Sequence, residues 1–383
     1  IPVESATGRR CPIEASGGGP IATLPFLRRH AGRQGWRETR TPKGAICFEV
    51  PGGGGVSYEP GGQIEYSSPP HRTASALLAD LRGVVLPLRA AAAAEGIDLL
   101  TVGIDPCNPV ERCPLFLRLD RYERMADYLA ARGPAGAMMM RQTAAFQIGI
   151  DLDDEPLARW RVLNAAAPCF VAIFANSPLH EGVPTGCHST RAQAWRALDP
   201  LRTGLPWDGE RPIESYLEFA LAAPALLLPA TRGRHLSFGE WLTRARPTLA
   251  EWHEHLTTLF PEVRPRGRFE LRSADAVPPQ WYAAPVALAA GITYDPWARR
   301  AATDLLGAPD LGLLERAGRL GLRDPVIGPR AAELAEIALR GCDGLGPGYL
   351  HPADLEVARA FFERYTWCGR SPADDIVGGK IAA

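Results

Sequence analysis

The chain has 383 residues, 46% of them hydrophobic and 22% charged, with a formal net charge of −1. That length can bury a sizeable core in one large or two ordinary domains, and the balanced charge excludes a general attraction to nucleic acid or to an anionic membrane surface. The longest apolar runs (165–175 and 221–230) are too short to span a bilayer, no signal-peptide pattern opens the chain, and the eight cysteines show no CxxC or zinc-ligand spacing, so they read as reduced thiols of a cytoplasmic protein.

The opening "IPV" reads as the tail of a strand already under way. The first seventy residues are rich in glycine and proline and are expected to form short strands. Among them, "GAICFEV" (44–50) and "VSYEPGGQIEYSS" (56–68) are joined by "PGGGG" as a hairpin. Alanine and leucine at helical spacing predict a helix over 73–96, stopped by Gly96. A strand is expected over 98–105, an amphipathic helix over 119–133, an alternating strand over 140–152 and an apolar helix over 155–177. Further on come a helix over 248–260, a strand over 268–275 and nearly continuous helix from about 278. Scattered short strands with helices between them predict an α+β fold, a sheet covered on one side by helices. It is read as one catalytic unit over 1–383, sheet-rich over 1–277 and mostly helical over 278–383.

Strand parity points to a site. Side chains alternate faces with period two, so Gln63 and Glu65 share a face. So do Thr143, Ala145, Gln147, Gly149 and Asp151, and likewise Glu270 and Arg272, each set backed by an apolar face. The side taken by Glu59 is left open by the intervening Pro-Gly-Gly. Such faces can be the wet side of an antiparallel sheet. Equally, small residues beside a lone glutamine leave volume for a ligand, and clustered carboxylates call for a divalent cation, with Mg²⁺ suited to oxygen ligands and phosphate. Arg121, Arg191 and Arg202 offer guanidinium forks that match carboxylate and phosphate. Arg191 lies in the long loop 175–195 that follows the apolar helix, a usual place for residues that cover a site. "PGGGG" lacks the ending of a P-loop, His253 and His255 are two apart and share no helix face, and no GxSxG is present.

In chain order, "EPGGQIEYSSPP", "RYERMADYL", "MMMRQTAAFQIGIDL", "FANSPLHEGVPTGCHSTRAQAWRALDPLRTG" and "HLTTLFPEVRPRGRFELRSAD" resemble the plant-type glutamate–cysteine ligase family (family 2) over about 44–300. "QTAAFQ" and "HLTTLFPEVRPRG" are most similar to actinobacterial members, some of which supply γ-glutamylcysteine for ergothioneine; others serve glutathione synthesis. The resemblance implies a glutamine synthetase-like catalytic domain, its curved antiparallel sheet cradling ATP, Mg²⁺ and glutamate. The side-chain carboxylate of glutamate would be phosphorylated and the acyl phosphate attacked by the cysteine amine. It also implies Glu59, Glu65 and Glu270 as metal ligands, and Gln147 on the strand facing metal and nucleotide. Arg121, Arg191 and Arg272 would meet the substrate carboxylate or the transferred phosphate. Gln63, Thr143 and Arg202 are read as substrate-facing. No protein nucleophile, nucleic acid or membrane partner is implied, and the enzyme would act as a monomer or homodimer on small molecules.

Two departures stand out. Family members begin with a strand bearing a Glu-x-Glu pair, which would lie before Ile1, so the chain reads as truncated. The family often has Gln-Val-Asn where this chain has "QIG", so Gly149 removes an amide from the floor. A ligase using another amine, or an inactive homologue lacking that first strand, are the alternatives.

Overall fold

Glycine and proline cut the first part of the chain into strands too short to build one large sheet. The structure, a computed structural model, describes residues 1–15, 19, 21–41, 44–229 and 234–379. Strands Arg37–Arg40, Ile46–Glu49, Gly55–Tyr58 and Ile64–Ser67 form a four-stranded antiparallel sheet in sequence order. The turn at 51–55 demands glycine: Gly54 has φ 75°, and a Cβ there would stand 2.4 Å from the Ser67 carbonyl oxygen. One face of this sheet, with Phe48, Val56 and Tyr58, is covered by Leu24, Phe26, Leu27, Val84 and Leu88 from two helices, Thr23–Gln34 and Ala74–Ala94. Tyr66 fixes the last strand to the second helix by donating to Asp80 at 2.8 Å.

Helix Thr23–Gln34 corrects the expectation of strands throughout the first seventy residues. Pro25 falls in its first turn, where a missing N–H costs nothing, Gly35 closes it at φ 70°, and Leu24, Leu27 and Ala31 supply a buried stripe.

The second sheet is antiparallel, in the order Val263–Pro265, Phe269–Leu271, Ile148–Ile150. The strand expected over 140–152 is thereby shortened. Residues Ala135–Gln142 are helical, as a run of strong helix formers favours, and Thr143 and Ala145 make only isolated bridges to Ile104 and Asp275. The strand expected over 98–105 shrinks to Ile97–Leu99, paired with Pro2–Glu4. In place of one continuous curved sheet, the described residues form five small ones. All are antiparallel except the pair Thr203–Gly204 and Phe260–Pro261. The fold is mixed α and β, with fifteen α-helices among the described residues.

The second sheet backs onto a helical core. Helix Pro156–Ile173 is buried on every side from Val162 onward, as its apolar sequence requires. It packs with helices Ala283–Tyr294 and Ile327–Leu345. The latter two meet backbone to backbone, since a Cβ on Gly291 would stand 2.1 Å from the Ala338 carbonyl oxygen. Among the described residues every strand precedes Arg272, and beyond it the regular elements are all helical; residues 380–383 of the expected helical part lie outside them. No described helix is long and apolar enough to cross a membrane.

Candidate active site

The second sheet turns one face to its core and the other outward. Val263, Phe269, Leu271, Ile148 and Ile150 are buried, whereas Gln147 and Gly149 are exposed. Glu270 lies opposite Gly149 on one neighbour and opposite Arg264 on the other, so all three share the outer face. Arg264 donates through Nη2 to both Glu270 oxygens, at 2.8 and 3.1 Å, and Arg272 Nη1 donates to Oε1 at 2.5 Å. Burial alone would raise the Glu270 pKa, but Arg272 and Arg264 outweigh it and hold the carboxyl at about 2. Arg272 also donates to Gln147 Oε1 at 3.3 Å and lies over the rings of Trp195 and Phe260, 5.2 and 5.8 Å from their centroids.

Behind this floor, Ser189 caps helix Thr190–Arg196 by accepting from Ala192 N. Arg191 is buried one residue into that helix. Its Nη2 donates to the Arg272 carbonyl at 2.7 Å, its Nη1 to the Ser273 carbonyl at 3.3 Å, and Asp275 stands 3.5 Å away. Asp275 in turn accepts from Ser177 Oγ at 2.7 Å, Ser189 Oγ at 2.9 Å and Asn176 N at 2.8 Å. Arg191 therefore braces the segment that presents Arg272 and lines a small cavity together with Arg272, Trp195 and Phe260. Arg202 sits elsewhere: its guanidinium is enclosed, donating to Thr258 O and Oγ1 at 3.1 and 2.8 Å and to the Pro224 carbonyl. With its fork filled by these acceptors, Arg202 is not brought together with the other candidates.

The acidic residues come from the other sheet. Between strands Gly55–Tyr58 and Ile64–Ser67 the chain turns at Pro60-Gly61-Gly62, with Gly62 at φ 76°. A Cβ on Gly61 would stand 2.2 Å from the Arg141 carbonyl oxygen, so the turn rests directly on the end of helix Ala135–Gln142. Buried Arg10, paired with Asp105 at 3.2 Å, donates to the carbonyls of Gly61 and Arg141 at 2.7 and 3.3 Å and locks that contact. Gln63 is also buried here, donating to the Thr143 carbonyl at 2.9 Å, while Thr143 Oγ1 donates to the Met139 carbonyl at 2.7 Å. Both were expected to face substrate; in the structure their polar groups tie hairpin to helix.

This seating carries Glu59 and Glu65 toward the basic floor. Burial, and then the neighbouring Glu65 charge, push the Glu59 carboxyl well above the usual carboxylate range, against the pull of Arg272, Arg121 and Arg264. Those groups therefore share one electrostatic site. Arg121 stands in the first turn of helix Asp120–Ala130 and donates to Thr257 Oγ1 at 3.1 Å; its buried Nε has no partner among the described residues.

Among the described residues no cluster of three or more His, Cys, Asp or Glu side chains is placed to hold a metal ion. The three glutamates expected as metal ligands stand in different surroundings. Glu270 is already neutralised by its guanidiniums, whereas Glu59 and Glu65 repel one another, the condition a divalent cation relieves. Sequence reasoning missed Arg264, Trp195, Phe260 and Asp275. For Arg264 a signal existed. "RPRGRFE" encodes a hairpin whose three-residue loop, 266–268, carries Gly267 at φ 69°, and that register sets Arg264 across from Glu270.

Comparison with known proteins places the chain in a family. The model of glutamate-cysteine ligase family 2 (GCS2) matches residues 27–340. The glutamate–cysteine ligase EgtA of Mycolicibacterium smegmatis is 35% identical over 351 residues, covering 87% of this chain and 79% of that protein. EgtA of Mycobacterium tuberculosis is 33% identical over 358 residues, covering 87% of this chain and 80% of its own length. The chloroplastic glutamate–cysteine ligase of Arabidopsis thaliana is 32% identical over 350 residues, covering 84% and 65%. The chain thus belongs to glutamate–cysteine ligase family 2.

Proposed function

We infer that the protein is an ATP-dependent ligase that joins the side-chain carboxylate of L-glutamate to the amine of L-cysteine, giving γ-glutamylcysteine. A carboxylate oxygen of glutamate attacks the γ-phosphorus of ATP and ADP leaves. The cysteine amine then attacks the acyl carbon, phosphate leaves, and the nitrogen gives up its proton. Neither step needs a nucleophile from the protein. What is needed is positioning, and fixed positive charge where the phosphoryl group develops its own. Arg272 supplies that charge, held between Glu270, Gln147 and the Trp195 ring, with its backbone carbonyl gripped by Arg191. Arg121 adds a second guanidinium from the opposite wall. Glu59 and Glu65 would hold Mg²⁺, which when bound neutralises phosphate charge.

The observation that carries this reading is the meeting of two halves: an acidic pair without full compensation on one sheet and an arginine-rich floor on the other. The protein is tested by incubation with ATP, Mg²⁺ and glutamate, with and without cysteine or a panel of other amines, following ADP release and product mass. Cysteine-dependent ADP release with the mass of γ-glutamylcysteine is expected. No ADP with any amine overturns the ligase reading, and product with a different amine alone overturns the cysteine assignment.

A further inference from the structure

The hairpin 264–272 carries four arginines, and three of them, Arg264, Arg266 and Arg272, lie 2.8, 3.9 and 2.5 Å from Glu270. Arg268 is the exception. It has the parity of Glu270 and Arg272 and so belongs to the outer face of the sheet. At the hairpin tip it is exposed to solvent, yet it does not extend straight away from the sheet. Instead its side chain lies back across strand Ile148–Ile150: a Cβ built on Gly149 would stand 3.1 Å from both its Cδ and its Nε. The Gly149 backbone is not in the left-handed region, so the conformation itself does not require glycine. What the missing side chain provides is the berth in which Arg268 lies. Among the described residues the Arg268 guanidinium has neither an ion pair nor a hydrogen-bond partner.

We propose that Arg268, seated over Gly149, is a contact for the phosphate oxygens of the bound nucleotide, an assignment that rests on the ligase reading of the site. Five guanidiniums, the four of the hairpin and Arg121, outnumber the carboxylates of Glu59, Glu65 and Glu270, a balance that suits a polyanion. Arg264 and Arg272 hydrogen-bond Glu270 and Arg266 stands 3.9 Å from it, whereas Arg268 has no such partner among the described residues and offers its terminal nitrogens for the bidentate geometry that phosphate favours. Glutamate's carboxylates present the same oxyanion chemistry, so the test separates the two sources.

Isothermal titration calorimetry of the full chain with Mg·ATP, and separately with glutamate, is combined with initial rates for R268A, R268K, G149A and the G149A/R268A double variant. R268A is expected to weaken Mg·ATP binding and raise the KM for ATP by about tenfold, the scale of one charge-assisted contact, with glutamate affinity unchanged. R268K should recover part of the loss. G149A, whose methyl would crowd Arg268 in its berth, should shift ATP in the same direction and by less than R268A, and the double variant should be no worse than R268A, since both changes act on one interaction. Unchanged Mg·ATP affinity in R268A, a loss confined to glutamate, or additive effects of the two substitutions each overturn the proposal. A wild type that binds Mg·ATP but makes no product with any amine overturns the ligase reading while calorimetry still decides Arg268. A wild type that binds no Mg·ATP overturns both.

Discussion

Glu270 receives hydrogen bonds from Arg264 and Arg272, while Glu59 faces a second carboxylate, Glu65, so three glutamates of one site stand in two opposite electrostatic situations. Substitutions should divide accordingly. Glu65→Gln removes a charge whose one side-chain hydrogen bond among the described residues, from Ser67 Oγ at 3.0 Å, an amide oxygen can also accept. It is expected to leave unfolding stability unchanged while lowering kcat/KM by at least about a hundredfold, the loss of several kcal/mol of metal-borne stabilisation, and to raise the Mg²⁺ concentration for half-maximal rate. Near-normal activity with unchanged Mg²⁺ dependence would show that Glu65 holds no cation. Arg264→Ala does the reverse and leaves Glu270 buried with fewer partners. A cost of about 3–5 kcal/mol is expected in denaturant unfolding, beyond its effect on rate. At this scale parity told which side chains share a face and was silent on depth. Gln63, expected beside Glu65 on an open face, is 4% exposed and bonded to backbone carbonyls, because depth depends on what packs above a strand.

Helix Leu249–Leu256 shows an element held by a group that stays neutral. His255 is buried, bonded through Nε2 to the Ala220 carbonyl at 2.8 Å, and lies against the rings of Phe238 and Trp252 with centroids 4.8 and 5.8 Å away. Burial first, with Arg202 adding repulsion and the Ala220 carbonyl only partly opposing them, lowers its pKa from 6.5 to about 4. The unfolded chain therefore takes up a proton below pH 6.5 that the folded chain refuses until about pH 4. Stability from this residue is complete above that window and declines as pH falls through it, by up to about 3 kcal/mol at the usual exchange of about 1.4 kcal/mol per pKa unit. Denaturant unfolding across the window should show the decline in the wild type and a flatter profile in His255→Gln. Elements with strong periodicity, such as the helices Ala74–Ala94 and Pro156–Ile173 and the hairpin around 51–55, were legible in sequence. Helix Thr23–Gln34 was hidden by a proline and flanking glycines that read as turn material, and Ala135–Gln142 by an alternation that continues through "MRQTAAF" past the helix end.

Across the whole molecule, the two sheets rest on different cores. The four-stranded sheet packs on helices Thr23–Gln34 and Ala74–Ala94, and the three-stranded one on the helical layer whose centre is the Gly291–Ala338 contact. Gly291→Val would force helices Ala283–Tyr294 and Ile327–Leu345 apart. A loss of about 1–3 kcal/mol is expected from such overpacking, read as a lower unfolding midpoint with KM for ATP and glutamate unchanged at temperatures where the protein stays folded. An altered KM would show that the helical layer sets the floor's geometry directly. The class of fold was legible because strands and helices alternate in recognisable lengths. The division of the sheet was not, because side chains such as Gln63 and backbone groups such as Gly61 make joins that no propensity encodes.

That join at Gly61 is the point at which the acidic half of the site is set against the basic half. The carboxylate pair rides on the four-stranded sheet, whose turn bears on the Arg141 carbonyl as on a fulcrum, while the guanidiniums stay fixed to the other sheet. A methyl at residue 61 would lift the fulcrum and swing both carboxylates away together. On the ligase reading, Gly61→Ala is expected to raise the Mg²⁺ concentration for half-maximal rate with the KM for ATP unchanged, a separation set from a position that touches neither.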